Sequence, residues 1–236
     1  MMPATTARYL PMTESARFEL FAFWRTAAAY RVRVACNLKG VQPRETFVDL
    51  DAGGQRDPAF LAINPLGAVP ALIDHAAGAP AVPLTQSLAI LEFLDEEFPQ
   101  PPLLPQGAHA RARVRSLAAM LAADTHPLIT PRVRQYLTTQ AGFDAAAVRA
   151  WIVHWFEVGL RAVEQRLATE PGTGRFCHGD QPTIADICLA SMIATARVLG
   201  AEFTGVPTVY RIVGECDALD AFARADPYRQ AGAPAR

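Results

Sequence analysis

The chain contains 236 residues, of which 51% are hydrophobic, and carries a formal net charge of -1. This length and apolar content can bury a sizeable core, in one large domain or in two smaller ones. Because the net charge is close to zero, no global field attracts nucleic acid or an anionic membrane, and we expect neither as a partner. The sequence has no run of about 18 or more apolar residues, so no membrane-spanning helix is predicted.

The four cysteines lie far apart and include no CxxC pair. Cys36 and Cys188 fall within apolar helical patterns, where a free thiol behaves as a small buried hydrophobe. We therefore expect reduced cysteines and a cytoplasmic location. Residues 1–19 lack the continuous apolar segment of a secretion signal, and we interpret residues 1–17 as a flexible extension.

The first half of the chain alternates between strand and helix patterns. Thr26 is placed to cap the first helix, and Lys39-Gly40 ends it. The predicted elements are strand Phe18–Phe23, helix Ala27–Leu38, strand Glu45–Asp49, helix Pro58–Ile63, strands Val69–Asp74 and Ala81–Leu84, and helix Ser87–Phe98. This order indicates a thioredoxin-like α/β domain over residues 18–98.

A proline-rich segment divides the chain, and the pattern beyond it is helical. Residues 99–107 contain four prolines and are interpreted as a linker. From there the apolar residues recur with a period of 3.6, which predicts an all-helical domain over residues 108–230. The expected helices are Ala110–Leu137, Ala145–Ala168, Ile184–Leu199, Val206–Cys216 and Ala218–Ala225.

A capping-box pattern marks the start of one of these helices. Thr183 is followed three residues later by Asp186, directly before the apolar run Ile187-Cys188-Leu189. The threonine of such a box caps the helix, and the acidic residue bonds back to the cap backbone. We expect a structural role for it and no part in catalysis.

Two features between Ile63 and Leu94 point to a binding site. Val69-Pro70 places a proline at the start of a strand, where a cis peptide bond is predicted. Gln86-Ser87 lies on the first turn of a helix, where free backbone N–H groups and the helix dipole attract an anion. The sequence shows no metal-ligand cluster, phosphate-binding loop or Ser-His-Asp order.

This combination resembles the glutathione-binding half of the glutathione transferase family. Over roughly Phe18 to Ala225 the chain is most similar to the zeta class, which includes maleylacetoacetate and maleylpyruvate isomerases. The matching segments are FWRTAAAYRVRVACNLKG, AINPLGAVPAL, TQSLAILEFL, LLPQ, DTHPLITPRVRQYL and GDQPTIADICLA. The resemblance implies glutathione as cofactor and a homodimer. It also implies that the backbone of Val69, before Pro70, pairs with the cysteinyl unit, and that Gln86 and Ser87 hold the γ-glutamyl group.

The turn before the first helix differs from the family pattern. Zeta enzymes carry a serine-rich turn whose first serine donates a hydrogen bond to the glutathione sulfur. Here the turn is Thr26-Ala27-Ala28-Ala29, in which only Thr26 keeps a hydroxyl. Thr26 is thus our candidate for stabilising the thiolate, and a simple helix cap is the alternative.

Arginine side chains are the candidates for binding a substrate anion. Arg25 follows a strand end and is expected at the pocket mouth, where it can pair with a substrate carboxylate or an enolate. A solvated arginine or an interface ion pair is the alternative. In the maleylpyruvate isomerases that the chain resembles, a second arginine in the helical domain also binds the diacid. That position falls on Val198 here, and Arg197 beside it points elsewhere, because one residue turns a side chain by about 100° around a helix.

A stretch of the helical domain supplies further cofactor-binding candidates. The resemblance implies that His126, Thr130 and Arg132 reach the glutathione, in some relatives across a dimer interface. His126 packed against Pro127 as a structural residue is an equal alternative. Gln55 and Arg56 are candidates for the glycyl end of glutathione.

Three functions follow from these observations. The first is a glutathione-dependent cis–trans isomerase of a maleyl keto acid, which works by thiolate addition, bond rotation and elimination. The second is a transferase that conjugates glutathione to small electrophiles. The third is a glutathione-binding protein without turnover, which the three alanines of the turn suggest.

Overall fold

The computed structural model describes residues 17–77 and 81–235. The first part of the chain forms a four-stranded mixed sheet in the order β2-β1-β3-β4, in which β1 pairs in parallel with β2 and antiparallel with β3. The strands are β1 Phe18–Ala22, β2 Arg44–Phe47, β3 Ala71–Asp74 and β4 Leu84–Thr85. Its helices are α1 Ala27–Leu38, α2 Pro58–Ile63 and α3 Ser87–Glu97, with a 3₁₀ turn at Gly54–Arg56.

From Ala108 onward the described chain is helical. The helices are α4 Ala108–Ala119, α5 Pro131–Thr139, α6 Ala145–Thr169, α7 Ile184–Val198, α8 Pro207–Asp217 and α9 Asp220–Ala223. A π-helical turn at Met120–Thr125 and a 3₁₀ turn at His126–Ile129 join α4 to α5, and a further 3₁₀ turn covers Pro227–Arg229. None of the described helices is long and apolar enough to cross a membrane.

The prediction of one helix over Ala110–Leu137 is wrong. Pro127 and Pro131 lack a backbone N–H and cannot continue an α-helix, so the chain breaks into α4, two short turns and α5. Thr125, at the end of the π-helical turn, donates its hydroxyl to the carbonyl of Met120 at 2.7 Å. His126 and Thr130 therefore lie in the stretch between α4 and α5 and not within an α-helix.

The sheet edges also differ in detail from the prediction. β2 ends at Phe47 rather than at Asp49, and β3 begins at Ala71, after Pro70, which has no N–H to donate. The hairpin partner pairs only over Leu84–Thr85, and residues 78–80 lie outside the described residues. The predicted N-terminal extension also lies outside them, except for Arg17.

One continuous apolar core joins the sheet to the helices. Leu20 and Val32 from the first part share it with Phe156 and Ile187 from the second, and all four are fully buried. Helix α1 lies at its centre, packed against α3 on one side and α7 on the other. A smaller cluster covers the other side of the sheet at its end, and contains Phe23, Trp24, Val48, Phe60 and Val69.

The capping box at α7 is confirmed, and it extends further than predicted. The fully buried Asp186 carboxylate accepts the backbone N–H and the hydroxyl of Thr183, both at 2.8 Å, and the backbone N–H of Cys177 at 2.6 Å. Burial raises the pKa of Asp186 even though these donors favour its charged form. One carboxylate therefore ties the loop around Cys177 to the start of the most deeply buried helix.

We expect Asp186→Ala to lower the free energy of unfolding by about 3 kcal/mol, because two buried backbone N–H groups lose their acceptor. Urea denaturation followed by circular dichroism measures this loss. Asp124→Ala, at an exposed position, is the matched control and should change stability by less than about 0.5 kcal/mol. A loss below about 1 kcal/mol for Asp186→Ala would contradict a structural role for this carboxylate.

Candidate active site

A cavity of about 850 Å³ opens between the carboxyl end of β1 and the helical part of the chain. Its walls come from the β1–α1 turn, the loop before β3, the start of α3, the segment from Ala122 to α5, and the end of α7. The structure brings together in this cavity every site residue predicted from the sequence. These are Arg25, Thr26, Val69, Pro70, Gln86, Ser87, His126, Thr130 and Arg132.

The Val69–Pro70 peptide bond is cis, as predicted. The preceding loop is held by Asn64, whose side chain donates to the carbonyl of Ala68 at 2.6 Å and accepts the N–H of Leu66 at 3.1 Å. Asn64 is itself buried. A rigid polar contact thus shapes the wall of the cavity just before Val69.

Gln86 has a backbone conformation that amino acids other than glycine rarely adopt. Its φ is 67° and its ψ is 111°, and it is the only described residue other than glycine with a positive φ. It stands immediately before α3 with an exposed side chain at the cavity, and its carbonyl accepts the first helical bond, from Ile90, at 3.0 Å. Strained backbone of this kind costs about 1–3 kcal/mol and clusters at binding sites.

Beside Gln86, the hydroxyl of Ser87 contacts a buried guanidinium. Arg31 is 1% exposed, and it donates from Nη1 to Ser87 Oγ at 3.0 Å and from Nε to Ser191 Oγ at 2.9 Å. Within the described residues its Nη2 has no hydrogen-bond partner and no carboxylate forms a salt bridge with it. Burial lowers the pKa of Arg31. Because Ser87 Oγ accepts from Arg31, its own proton is available to an anion in the cavity.

The sequence analysis left Arg31 out of the site. A signal was present in the sequence, because Arg31 and Arg33 are the two charged residues of the otherwise largely apolar helix α1, and both are buried. A charge in such a place is either paired or functional. Its serine partners lie 56 and 160 residues away in sequence, so their identity required the tertiary structure.

Thr26 is the N-cap of α1, as predicted. Its hydroxyl accepts the N–H of Ala29 at 3.4 Å and donates to the carbonyl of Phe23 at 3.3 Å. Both distances are at the long end for hydrogen bonds, so the hydroxyl can turn towards another partner at little cost. The same group is thus placed to cap the helix and to face the cavity.

Arg25 lies at the mouth of the cavity and forms an ion pair with Asp51. Its guanidinium also stacks near the rings of Phe23 and Trp24, at 5.2 and 5.5 Å from their centres. The Arg25 side chain is 34% exposed and that of Asp51 is 58% exposed, so the pair is only weakly held. An anion entering the cavity can therefore compete with Asp51.

The helical wall contributes a neutral imidazole. His126 is half-buried, and burial together with the charges of Arg31 and Arg132 lowers its pKa to about 3. Gly159 of α6 permits this placement, because a Cβ there would lie 2.1 Å from the hydroxyl of Thr125. Thr130 donates to the carbonyl of Pro127 at 3.0 Å, which holds the turn that follows.

Gln55 and Arg56 also lie in the cavity wall. Arg56 donates to Gln135 of α5 at 2.7 Å, which bridges the two parts of the chain across the cavity mouth. The buried side-chain oxygen of Gln55 has no hydrogen-bond partner within the described residues. It is an acceptor available to a ligand N–H.

The strain at Gln86 predicts an unusual order of stability between two variants. Gln86→Gly and Gln86→Ala both remove the side chain, but only glycine adopts a positive φ without strain. We expect the glycine variant to be more stable than the alanine variant by about 1 kcal/mol in urea denaturation. The same pair at Gln165, an exposed helical position, should show the opposite order. Equal stabilities at position 86 would mean that its backbone is unstrained.

The lowered pKa of His126 predicts a loss of stability in acid. An unfolded histidine has a pKa of about 6.5, so the unfolded chain binds more protons than the folded one between pH 6.5 and about 3. This contribution to stability is complete above pH 6.5 and falls as the pH drops. We expect His126→Gln to reduce the difference in unfolding free energy between pH 7 and pH 5 by about 1 kcal/mol, allowing for the partly exposed ring. An NMR titration that assigned His126 a pKa near 6.5 would contradict the prediction.

Comparisons with known proteins agree with this architecture. Residues 16–96 match the family "Glutathione S-transferase, N-terminal domain", and residues 145–230 match "Glutathione S-transferase, C-terminal domain". A maleylpyruvate isomerase from Ralstonia is 41% identical over 212 residues, which cover 90% of this chain and 98% of that protein.

Solved structures give the same result. A maleylacetoacetate isomerase from Methylobacterium extorquens AM1, with bound malonate and glutathione, superposes with a TM-score of 0.88 and 51% identity over 92% of this chain and all of that one. A bacterial maleylpyruvate isomerase of the zeta class, solved in its holo form, superposes with a TM-score of 0.86 and 40% identity over the same shares. The chain belongs to the glutathione transferase family and groups with its zeta class.

Proposed function

We propose that this protein is a glutathione-dependent cis–trans isomerase of a maleyl keto acid, either maleylacetoacetate or maleylpyruvate. The observation that carries the proposal is a cavity whose two sides suit two different ligands. One half is the Val69 and Ser87 edge, which suits glutathione, and the other is a group of arginines that suits a dicarboxylate. The names of the relatives, which match over nearly their whole length, support the same activity.

The residues of the first half fit glutathione. The Ser87 hydroxyl, the free N–H groups at the start of α3 and the unpaired Nη2 of Arg31 together form a site for the γ-glutamyl carboxylate. Gln86 offers its side chain to the same group, and the backbone of Val69 pairs with the cysteinyl unit. On the helical side, the cofactor site is lined by His126, Thr130 and Arg132.

Bound glutathione supplies the thiolate that adds to the cis double bond and leaves again after rotation about the single bond. A free thiol has a pKa near 8.5, so the site must favour the charged form at neutral pH. Thr26 does so by donating its hydroxyl, and a charge-assisted bond of this kind contributes about 1.5–3 kcal/mol, or roughly one to two pKa units. The N-terminus of α1 adds a favourable dipole.

Arg25 binds and stabilises negative charge on the substrate. It lies one residue before Thr26, and both residues line the same cavity. Displacing Asp51 frees it for a substrate carboxylate or for charge that develops on the ketone oxygen. Neutral His126 adds no charge at working pH, so the arginines alone supply the positive field.

Two other functions remain as alternatives with a specific basis. The apolar wall formed by Ala27, Ala28, Val198 and Leu199 suits a small electrophile, which would favour a conjugating transferase. The three alanines of the turn provide no second donor to the sulfur, which would favour a binding protein without turnover. Glutathione-dependent loss of maleylacetoacetate absorbance, beside conjugation of chlorodinitrobenzene, separates all three functions.

We also propose a cellular location and an oligomeric state for this protein. We place it in the cytoplasm because Cys36, Cys177, Cys188 and Cys216 are all buried free thiols, and a reducing compartment suits them. A homodimer follows from the family resemblance and stays a prediction.

Replacing the hydroxyl of Thr26 tests the mechanism directly. Thr26→Val keeps the side-chain shape but removes the donor, so we expect isomerase kcat to fall about 10- to 1000-fold and the thiol pKa of bound glutathione to rise. Thr26→Ser keeps the donor and should stay within a few-fold of wild type. Ultraviolet absorbance of the thiolate against pH gives the pKa. If Thr26 acts only as a cap, Thr26→Val will cost about 1 kcal/mol of stability and leave the rate and the pKa unchanged.

A further inference from the structure

The cavity lacks one of the two arginines that the family resemblance leads one to expect. The second arginine falls on Val198, which lines the cavity as an apolar side chain. Arg197 does not replace it, because it is paired with Asp217 at 2.7 Å and does not line this cavity. The wall at Val198 therefore provides no cation for a substrate carboxylate.

Arg134 lies in the cavity wall on α5, the helix that faces the mouth from the helical side. Its side chain is partly buried, and its Nε is buried without a hydrogen-bond partner among the described residues. A buried guanidinium N–H without an acceptor is unfavourable, because it has lost its hydrogen bond to water. An anion that accepts a hydrogen bond from this N–H would therefore be stabilised in the cavity.

The charges around Arg134 also favour an incoming carboxylate. Arg25 lines the same cavity and already pairs with Asp51. Asp51 is the only carboxylate among the described residues that line the cavity, beside five arginines. Arg25 and Arg134 come from the two parts of the chain, and the arginines that line the cavity outnumber its carboxylates, which leaves net positive charge along its walls.

We propose that Arg134 is a specificity-determining residue that binds a substrate carboxylate together with Arg25. Arg25 and Arg134 approach from the first and second parts of the chain, so the carboxylate bridges the cavity. A planar guanidinium on each side can bind the two oxygens with matched geometry. This inference rests on the proposed function, because it assigns the substrate class of the same site.

Titration calorimetry with glutathione and two of its S-substituted derivatives tests the inference without turnover. The probes are glutathione, S-ethyl glutathione and S-(1,2-dicarboxyethyl) glutathione, of which only the last carries carboxylates on the sulfur substituent. In Arg134→Met we expect about 10-fold or greater loss of affinity for the dicarboxyethyl derivative, and less than about 2-fold change for the other two. Arg134→Lys keeps the charge without the planar fork and should lie between wild type and Arg134→Met. Arg161→Met, at an exposed position on α6 outside the cavity, is the charge-matched control and should bind all three probes like wild type.

Two results would overturn the inference. Equal weakening of all three probes in Arg134→Met would assign Arg134 to the glycyl carboxylate of glutathione instead. No weakening of the dicarboxyethyl derivative would mean that Arg134 binds no ligand carboxylate. Absence of isomerase activity in the wild type would refute the proposed function alone, because the calorimetric comparison still decides the role of Arg134.

Discussion

The site depends on a buried guanidinium that joins three helices. Arg31 of α1 bonds to Ser87 at the start of α3 and to Ser191 in α7, so one side chain crosses the boundary between the two parts of the chain. A buried cation without a carboxylate partner is costly, and two neutral hydroxyls compensate it only partly. The surrounding core between α1 and α7 provides the stability that permits this arrangement. The cavity above Arg31 is therefore complete only when both parts have folded against each other.

Unpaired buried polar atoms and strained backbone are concentrated around this cavity. Within the described residues, four buried side-chain atoms have no hydrogen-bond partner, and three of them, on Arg31, Gln55 and Arg134, belong to residues that line the cavity. The strained backbone of Gln86 lies in the same place. Unsatisfied groups and strain reduce stability, and they persist where a ligand supplies the missing contacts. Their concentration marks the cavity as a binding site independently of any relative.

Charge in this protein is organised locally. The whole chain is nearly neutral, yet among the described residues five arginines and a single carboxylate line the cavity. His126 stays uncharged there because burial and two neighbouring arginines oppose its protonation. The field that a substrate meets therefore differs from the one that net charge implies. Composition and net charge therefore gave no indication of this local field.

The sequence alone determined four features of this protein: the order of strands and helices, the cis bond at Pro70, the helix cap at Thr26 and the capping box at Asp186. Each of these features depends on residues that are neighbours in the chain. Proline, helix caps and apolar periodicity act over a few residues, so their effects can be predicted from a short segment. The break between α4 and α5 was missed, although Pro127 and Pro131 signal it, because apolar periodicity was allowed to outweigh them. Only the tertiary structure decided the partners of Arg31, the neutral state of His126 and the placement of Arg25 and Arg134 in one cavity. Those properties arise from burial and from contacts between residues far apart in sequence, which no local pattern encodes.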